Sequence, residues 1–239
     1  MGSRERRRLL EEALAQGIRH FDTAPGYGDG LAEQCVGQVL RHARQDVVIA
    51  TKAGITPDPL VVRYSVPLWP ARAARRLVPR PAASVRPPLT AAGVTASLDA
   101  SLRRLGTDYV DLLLLHEPEP ARLVEADELL GALQGLRSTG KVRAFGLAGS
   151  WRGVTASRAA LPPAAWVIQT AEADWHPPEA PDITYGVLAQ GPQAFGQAGI
   201  DSQLAIGRLR AARARRPDGV LLVATTRPGR IAELVEAGA

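Results

Sequence analysis

Cysteine is almost missing from this chain of 239 residues, where Cys35 stands alone. A single thiol rules out a disulfide within the chain and any zinc site built from several cysteines. It also suits a reducing compartment, so a cytoplasmic setting is expected. Lysine is nearly as scarce: only Lys52 and Lys141 occur among 29 basic residues. Where arginine is the default cation, a surviving lysine marks a place where a shiftable pKa is useful, because an ammonium titrates when buried and a guanidinium does not. Long apolar runs are lacking too, and none approaches the ~20 residues of a membrane-spanning helix. The amino terminus, MGSRERRRLLEEALAQG, passes straight into mixed charge and leucine instead of a signal-peptide core. Neither export nor a membrane partner is expected. Gly/Ser linkers and higher-order repeats are absent as well, which argues for one domain over residues 1–239.

What is present is the composition of a globule, with 46% hydrophobic and 22% charged residues. The net charge is +5, and Arg208, Arg210, Arg213, Arg215 and Arg216 crowd one segment. No aromatics are interleaved with them, so the run reads as a solvated helix face and no nucleic-acid partner is expected. Short runs rich in β-branched residues and leucine alternate with longer amphipathic ones, the pattern of strand and helix units around a parallel sheet. Seven strands are expected, at 18–24, 47–54, 109–117, 142–149, 166–173, 183–191 and 220–227. Helices are expected at 4–16, 31–44, 90–105, 121–139 and 201–216. One stretch, 55–88, breaks the rhythm with crowded prolines and arginines. It reads as an irregular insertion, either a cover over the site or a stiffened surface decoration.

At the carboxyl ends of the first three strands the sequence places Asp22, then Tyr27 just beyond, Lys52 and His116. In a parallel barrel these ends converge on one face, so the four would meet as a proton-donating site. A tyrosine titrates near ~10, and a neighbouring ammonium is expected to lower that value by stabilising the phenolate. Lys52 would do so, Asp22 would hold Lys52, and His116 would donate a hydrogen bond to a substrate carbonyl oxygen. Taken singly each has a plain structural explanation, such as a strand-end cap for Asp22; the combination is what points to chemistry.

FDTAPGYGDG, IATKAG and SLDASLRRLGTDYVDLLLLHEP together closely resemble the aldo-keto reductase family. The resemblance implies a TIM-type (β/α)8 barrel, reduction of a small carbonyl compound with a nicotinamide cofactor, and a catalytic tetrad at Asp22, Tyr27, Lys52 and His116, with Tyr27 as general acid. It also implies that Tyr185 stacks on the nicotinamide, that Gln190 lies by the pyrophosphate, and that Thr225, Arg230 and the nearby Arg227 grip an adenosine 2′-phosphate. NADPH is thus favoured over NADH.

Three departures accompany the resemblance. Where the family carries a Ser-Asn pair for the nicotinamide amide, this chain has Ala148 and Gly149. Gln169 stands one residue away from the family's glutamine, which in a strand is expected to turn it to the opposite face. The chain also opens inside the helix that precedes FDTA, so the barrel is expected to show seven strands with the first one missing. Either the native start lies upstream, or the gap is closed by a tightened barrel or a partner, and an uncovered sheet edge would favour self-association. An alternative activity stays open: a redox-inactive relative that uses the same four residues for dehydration, isomerisation or cyclisation. Trp151 and Trp175, with Tyr64 and Trp69 in the insertion, are candidate walls for the substrate.

Overall fold

The computed structural model describes residues 2–56, 86–189 and 202–238. Within them the seven expected strands form β1 (His20–Asp22), β2 (Val48–Ala53), β3 (Val110–His116), β4 (Val142–Ala148), β5 (Val167–Ala171), β6 (Ile183–Tyr185) and β7 (Val220–Leu222). Each pairs in parallel with the next, so spatial order follows chain order. With helices in the crossovers, the sheet curls into a nearly closed barrel of the (β/α)8 kind with seven strands. Among the described residues β1 pairs only with β2 and β7 only with β6.

Alternation along the strands builds two cores. Phe21, Ile49, Leu113, Leu115, Phe145 and Leu147 point outward and pack with helix residues such as Leu98 and Leu133. Ala50, Leu112, Leu114, Ala148 and Ile183 point inward and fill the barrel. The interior is therefore packed, and only its carboxyl-terminal mouth is free for chemistry. Both faces of the strands are covered, which explains their nearly continuous apolar sequence.

The helices are α1 (Ser3–Ala15), α2 (Leu31–Leu40), α3 (Ala91–Leu105), α4 (Ala126–Ser138), α5 (Trp151–Ala160), α6 (Ser202–Arg215) and α7 (Ile231–Gly238). Local chemistry sets several of their ends. Thr90 and Ser150 accept from the backbone N–H of Gly93 and Gly153, capping α3 and α5, and Gly106 closes α3 in the left-handed region. Two expected helices are shorter than their apolar pattern. The first ends at Leu40, after which Arg41–Asp46 tighten into 3-10 turns with Ala43 off helical geometry. The other begins only at Ala126, because Pro120–Arg122 form a separate 3-10 turn and Glu125 is left-handed. Helix α5 has no counterpart in the expected set: it buries only Val154 and Ser157, too thin a stripe to read as amphipathic.

The arginines of α6, with Arg216 just after it, are not a plain solvated face. Arg208, Arg213 and Arg216 donate to the carbonyls of Leu188, Gly219 and Asp182, and Arg215 pairs with Glu172. No helix among the described residues is long and apolar enough to cross a membrane. Residues 57–85 of the insertion, with Tyr64 and Trp69, lie outside the described residues, as does Gln190.

Candidate active site

Strand register delivers three of the four predicted side chains to one end of the barrel. Asp22 ends β1, Lys52 lies on β2 and His116 ends β3, while Tyr27 follows in the turn after β1. Lys52 is 2% exposed, so it is no surface residue. Its Nζ donates to Asp22 Oδ2 at 2.5 Å and to the Thr23 carbonyl at 3.0 Å. The same ammonium lies 4.9 Å from the Tyr27 ring centroid, within cation–π range. Tyr27 meets His116 edge to face, with centroids 6.1 Å apart. The four residues therefore form one contiguous cluster.

Behind the cluster is a second polar layer. Glu33 of α2, wholly buried, accepts from Thr51 Oγ1 at 2.7 Å and from Arg104 Nε at 2.5 Å. Its charge also helps keep Lys52 protonated. The signal for Glu33 was in the sequence: it interrupts the buried stripe Val36, Gly37 and Leu40 at helical spacing.

The electrostatics correct one expectation. Lys52 does not bring the Tyr27 phenol down; burial raises it well above the usual tyrosine value, and the charges of Asp22 and Glu117 push the same way. Lys52 is committed to Asp22, and burial outweighs its attraction for a phenolate even though Tyr27 is 42% exposed as a residue. Tyr27 is accordingly held as a neutral phenol. Tyr185, at the end of β6, is likewise raised to about 12, chiefly by burial and then by Glu117. Burial pulls Lys52 down while Asp22 opposes it. His116 falls to about 3 through burial and the nearby cations Lys52, Arg86 and Arg122, so it is a neutral imidazole at pH 7.

Gln169 is the second correction. It pairs in register with Ala148 and Ile183, both inward-facing, and so belongs to the barrel interior instead of the opposite face. It is 2% exposed and its Oε1 has no hydrogen-bond partner among the described residues. At Gly149 a Cβ would come within 3.2 Å of Glu117 Cα and 3.3 Å of Pro118 Cδ, so any side chain there would be tight.

The remaining candidates lie apart from this cluster in sequence. Thr225 Oγ1 accepts from the Arg227 backbone N–H at 3.1 Å and shapes the turn before α7. Arg227 is exposed, whereas Arg230 is 9% exposed. Trp151 packs on the outer core, and Trp175 is buried with the guanidinium groups of Arg215 and Arg216 near its ring. Two residues at the mouth were not singled out from the sequence. Glu117 adopts a left-handed φ of 49° and acts electrostatically on both tyrosines, and Arg122 lies buried beneath the strand ends.

Comparison with known proteins follows the same lines. Residues 1–171 match the family model described as the aldo/keto reductase family. A 6-dehydroglucose reductase of Agrobacterium fabrum is 39% identical over 142 residues, covering 58% of this chain and 41% of that protein. An NADH-specific methylglyoxal reductase of Escherichia coli is 35% identical over 139 residues, covering 57% of this chain and 39% of its own length. The match thus spans about two fifths of these curated relatives. Among solved structures, an aldo-keto reductase from Klebsiella pneumoniae in complex with NADPH superposes with a TM-score of 0.65 at 19% identity, covering 98% of this chain and 79% of that one.

Proposed function

Because this chain belongs to the aldo-keto reductase family, we propose that it reduces an aldehyde or ketone to an alcohol with NADPH, Tyr27 serving as general acid. The observation that carries this reading is the buried Lys52 ammonium, held between Asp22 and the face of Tyr27, with His116 at the edge of the same ring. A phenol kept neutral by its surroundings is in the protonation state that reduction requires. As the substrate oxygen gains negative charge, Tyr27 O–H donates to it and the proton crosses, leaving a phenolate. The Lys52 ammonium, its charge secured by Asp22 and 4.9 Å from the ring centroid, offsets part of the cost that burial imposes on that phenolate. His116, neutral, orients the carbonyl oxygen by donating from its ring N–H.

The residues here fit a nicotinamide amide through one group in particular. The unpartnered Oε1 of Gln169 is a buried acceptor on the inward face, and an unmet buried acceptor costs about 1–3 kcal/mol. A carboxamide N–H would satisfy it. Ala148 and Gly149 add no side-chain bond, so cofactor affinity rests more heavily on Gln169, on Tyr185 and on the turn at Thr225, Arg227 and Arg230. When bound, the reduced nicotinamide supplies the hydride to the carbonyl carbon. Exposed Arg227, with its fork of donors, favours the extra phosphate of NADPH.

The test is a fluorescence titration of NADPH with the purified chain, followed by turnover with a panel of aldehydes and ketones. No protein-dependent change at millimolar cofactor would sink the proposal. The Ala148–Gly149 substitution favours one other reading, acid–base chemistry without hydride transfer. It predicts turnover in the absence of any nicotinamide that disappears in Tyr27→Phe.

A further inference from the structure

Arg122 is 7% exposed, yet every hydrogen bond of its guanidinium within the described residues goes to a backbone carbonyl. Nη1 donates to the His116 carbonyl at 3.0 Å and to the Glu117 carbonyl at 2.5 Å. Nη2 donates to Gly54 at 2.7 Å and to Pro87 at 2.9 Å, and Nε reaches the same Pro87 carbonyl at 3.2 Å. These acceptors are the first residues beyond β2, the end of β3 with its next residue, and the chain leading into α3. Two of them, Gly54 with φ 114° and Glu117 with φ 49°, lie in the left-handed region, a conformation that a non-glycine residue such as Glu117 rarely adopts.

The ladder explains why such a clamp matters. The β2–β3 pairing ends at Ala53 and Leu115, so the His116 carbonyl and the Glu117 peptide lie past the last paired residues. On its other side His116 is still paired, with Ala148 of β4. Past that last pair, Arg122 joins the His116 and Glu117 carbonyls to the end of the strand that carries Lys52. We propose that Arg122 is a positioning residue, which ties the ends of β2 and β3 through the Gly54, His116 and Glu117 carbonyls and thereby sets His116 against Lys52 and Tyr27. A guanidinium suits the task because its planar fork serves several acceptors at once, whereas one ammonium in the same place cannot span them. This inference rests on the proposed reductase reading for its kinetic consequence, but the clamp itself can be observed without turnover.

The charged and titratable groups facing His116 are Tyr27, Lys52, Arg86 and Arg122. The experiment compares the wild-type chain with Arg122→Lys and Arg122→Gln, using circular dichroism to establish folding. The first readout is the His116 imidazole by NMR, assigned with His116→Gln, in the chain without cofactor. Arg122→Lys retains the charge and loses the fork, so the imidazole is expected to show exchange-broadened or shifted resonances; Arg122→Gln should in addition raise its titration midpoint. The second readout is steady-state reduction: kcat is expected to fall about 100-fold, the scale of an ångström-level misplacement, with KM changed less than about threefold. Folded Arg122→Lys with wild-type kcat and unaltered His116 resonances overturns the proposal. If neither variant folds, the wild type decides. Arg122 guanidinium protons that rotate and exchange like those of a surface arginine reject the clamp, and slow, resolved ones support it. A wild type that reduces no carbonyl compound would overturn the reductase reading, while the NMR comparison would still judge the clamp.

Discussion

At the scale of single residues, the site is defined by which groups are charged. Asp22 and Lys52 form a compact ion pair, while burial raises the Tyr27 phenol and lowers the His116 imidazole, so that both are neutral at pH 7. Replacing Tyr27 by Phe removes the proton donor and leaves the ring that packs on His116. Carbonyl reduction should fall about 10²- to 10⁴-fold, the usual contribution of general acid catalysis, with little change in thermal unfolding. A wild-type rate for that variant would remove Tyr27 from the mechanism. The histidines carry a second consequence. His116 at about 3, and His20, lowered by burial, are neutral in the fold but take protons near ~6.5 when unfolded. Below that value the unfolded chain binds more protons, so stability is complete above about 6.5 and declines as pH falls towards about 3. Denaturant midpoints measured across this range should show the decline, and His116→Gln should flatten part of it. Asp22, Tyr27, Lys52 and His116 were all legible in sequence, because strand ends and turn residues announce themselves locally. The upward shift of the Tyr27 phenol was not, since it depends on how three-dimensional packing sets burial against the nearby ammonium.

At the scale of elements, close approach dominates. A Cβ on Gly37 of α2 would lie 1.9 Å from the Leu105 carbonyl oxygen at the end of α3, so the two helices cross with room for hydrogen only. Gly131, exposed in α4, has nothing within 4 Å of the same added atom. The two glycines should therefore respond oppositely to alanine. Gly37→Ala is expected to destabilise by about 1–3 kcal/mol through overpacking, and Gly131→Ala to stabilise by about 1 kcal/mol through helix propensity. Chemical denaturation of both variants reads the contrast directly, and equal effects would refute the crossing geometry. Buried Glu33 joins the same helix pair to β2, and Glu33→Ala leaves Arg104 without its carboxylate partner. Breaking a buried pair of this kind costs about 3–5 kcal/mol, measurable as a lowered unfolding midpoint. From sequence, α1, α3 and α6 were readable because their apolar spacing is sustained. Helix α5 was not, because its packing depends on two buried residues, one of them Ser157.

At the scale of the whole molecule, groups far apart in the chain would have to meet on one cofactor: Gln169 inside the barrel, Tyr185 at its mouth and the turn from Thr225 to Arg230. Binding should therefore stabilise the fold as a unit. At a hundredfold excess over Kd, linkage predicts about 2.7 kcal/mol of added stability, visible as a rise in Tm. The rise should be larger with NADPH than with NADH at equal concentration, and Arg227→Ala should narrow the difference. Equal shifts for both cofactors in the wild type would remove the basis for NADPH preference. The sequence by itself determined the alternation of strands and helices, the parallel barrel and the four residues at its mouth, since these follow from local periodicity and from short motifs whose residues are neighbours along the chain. Only the tertiary structure decided the inward face of Gln169, the raised Tyr27 phenol and the Arg122 clamp. Each of these depends on register between strands, on exclusion of water or on carbonyls from separate loops converging, and none of those quantities is written in any one segment.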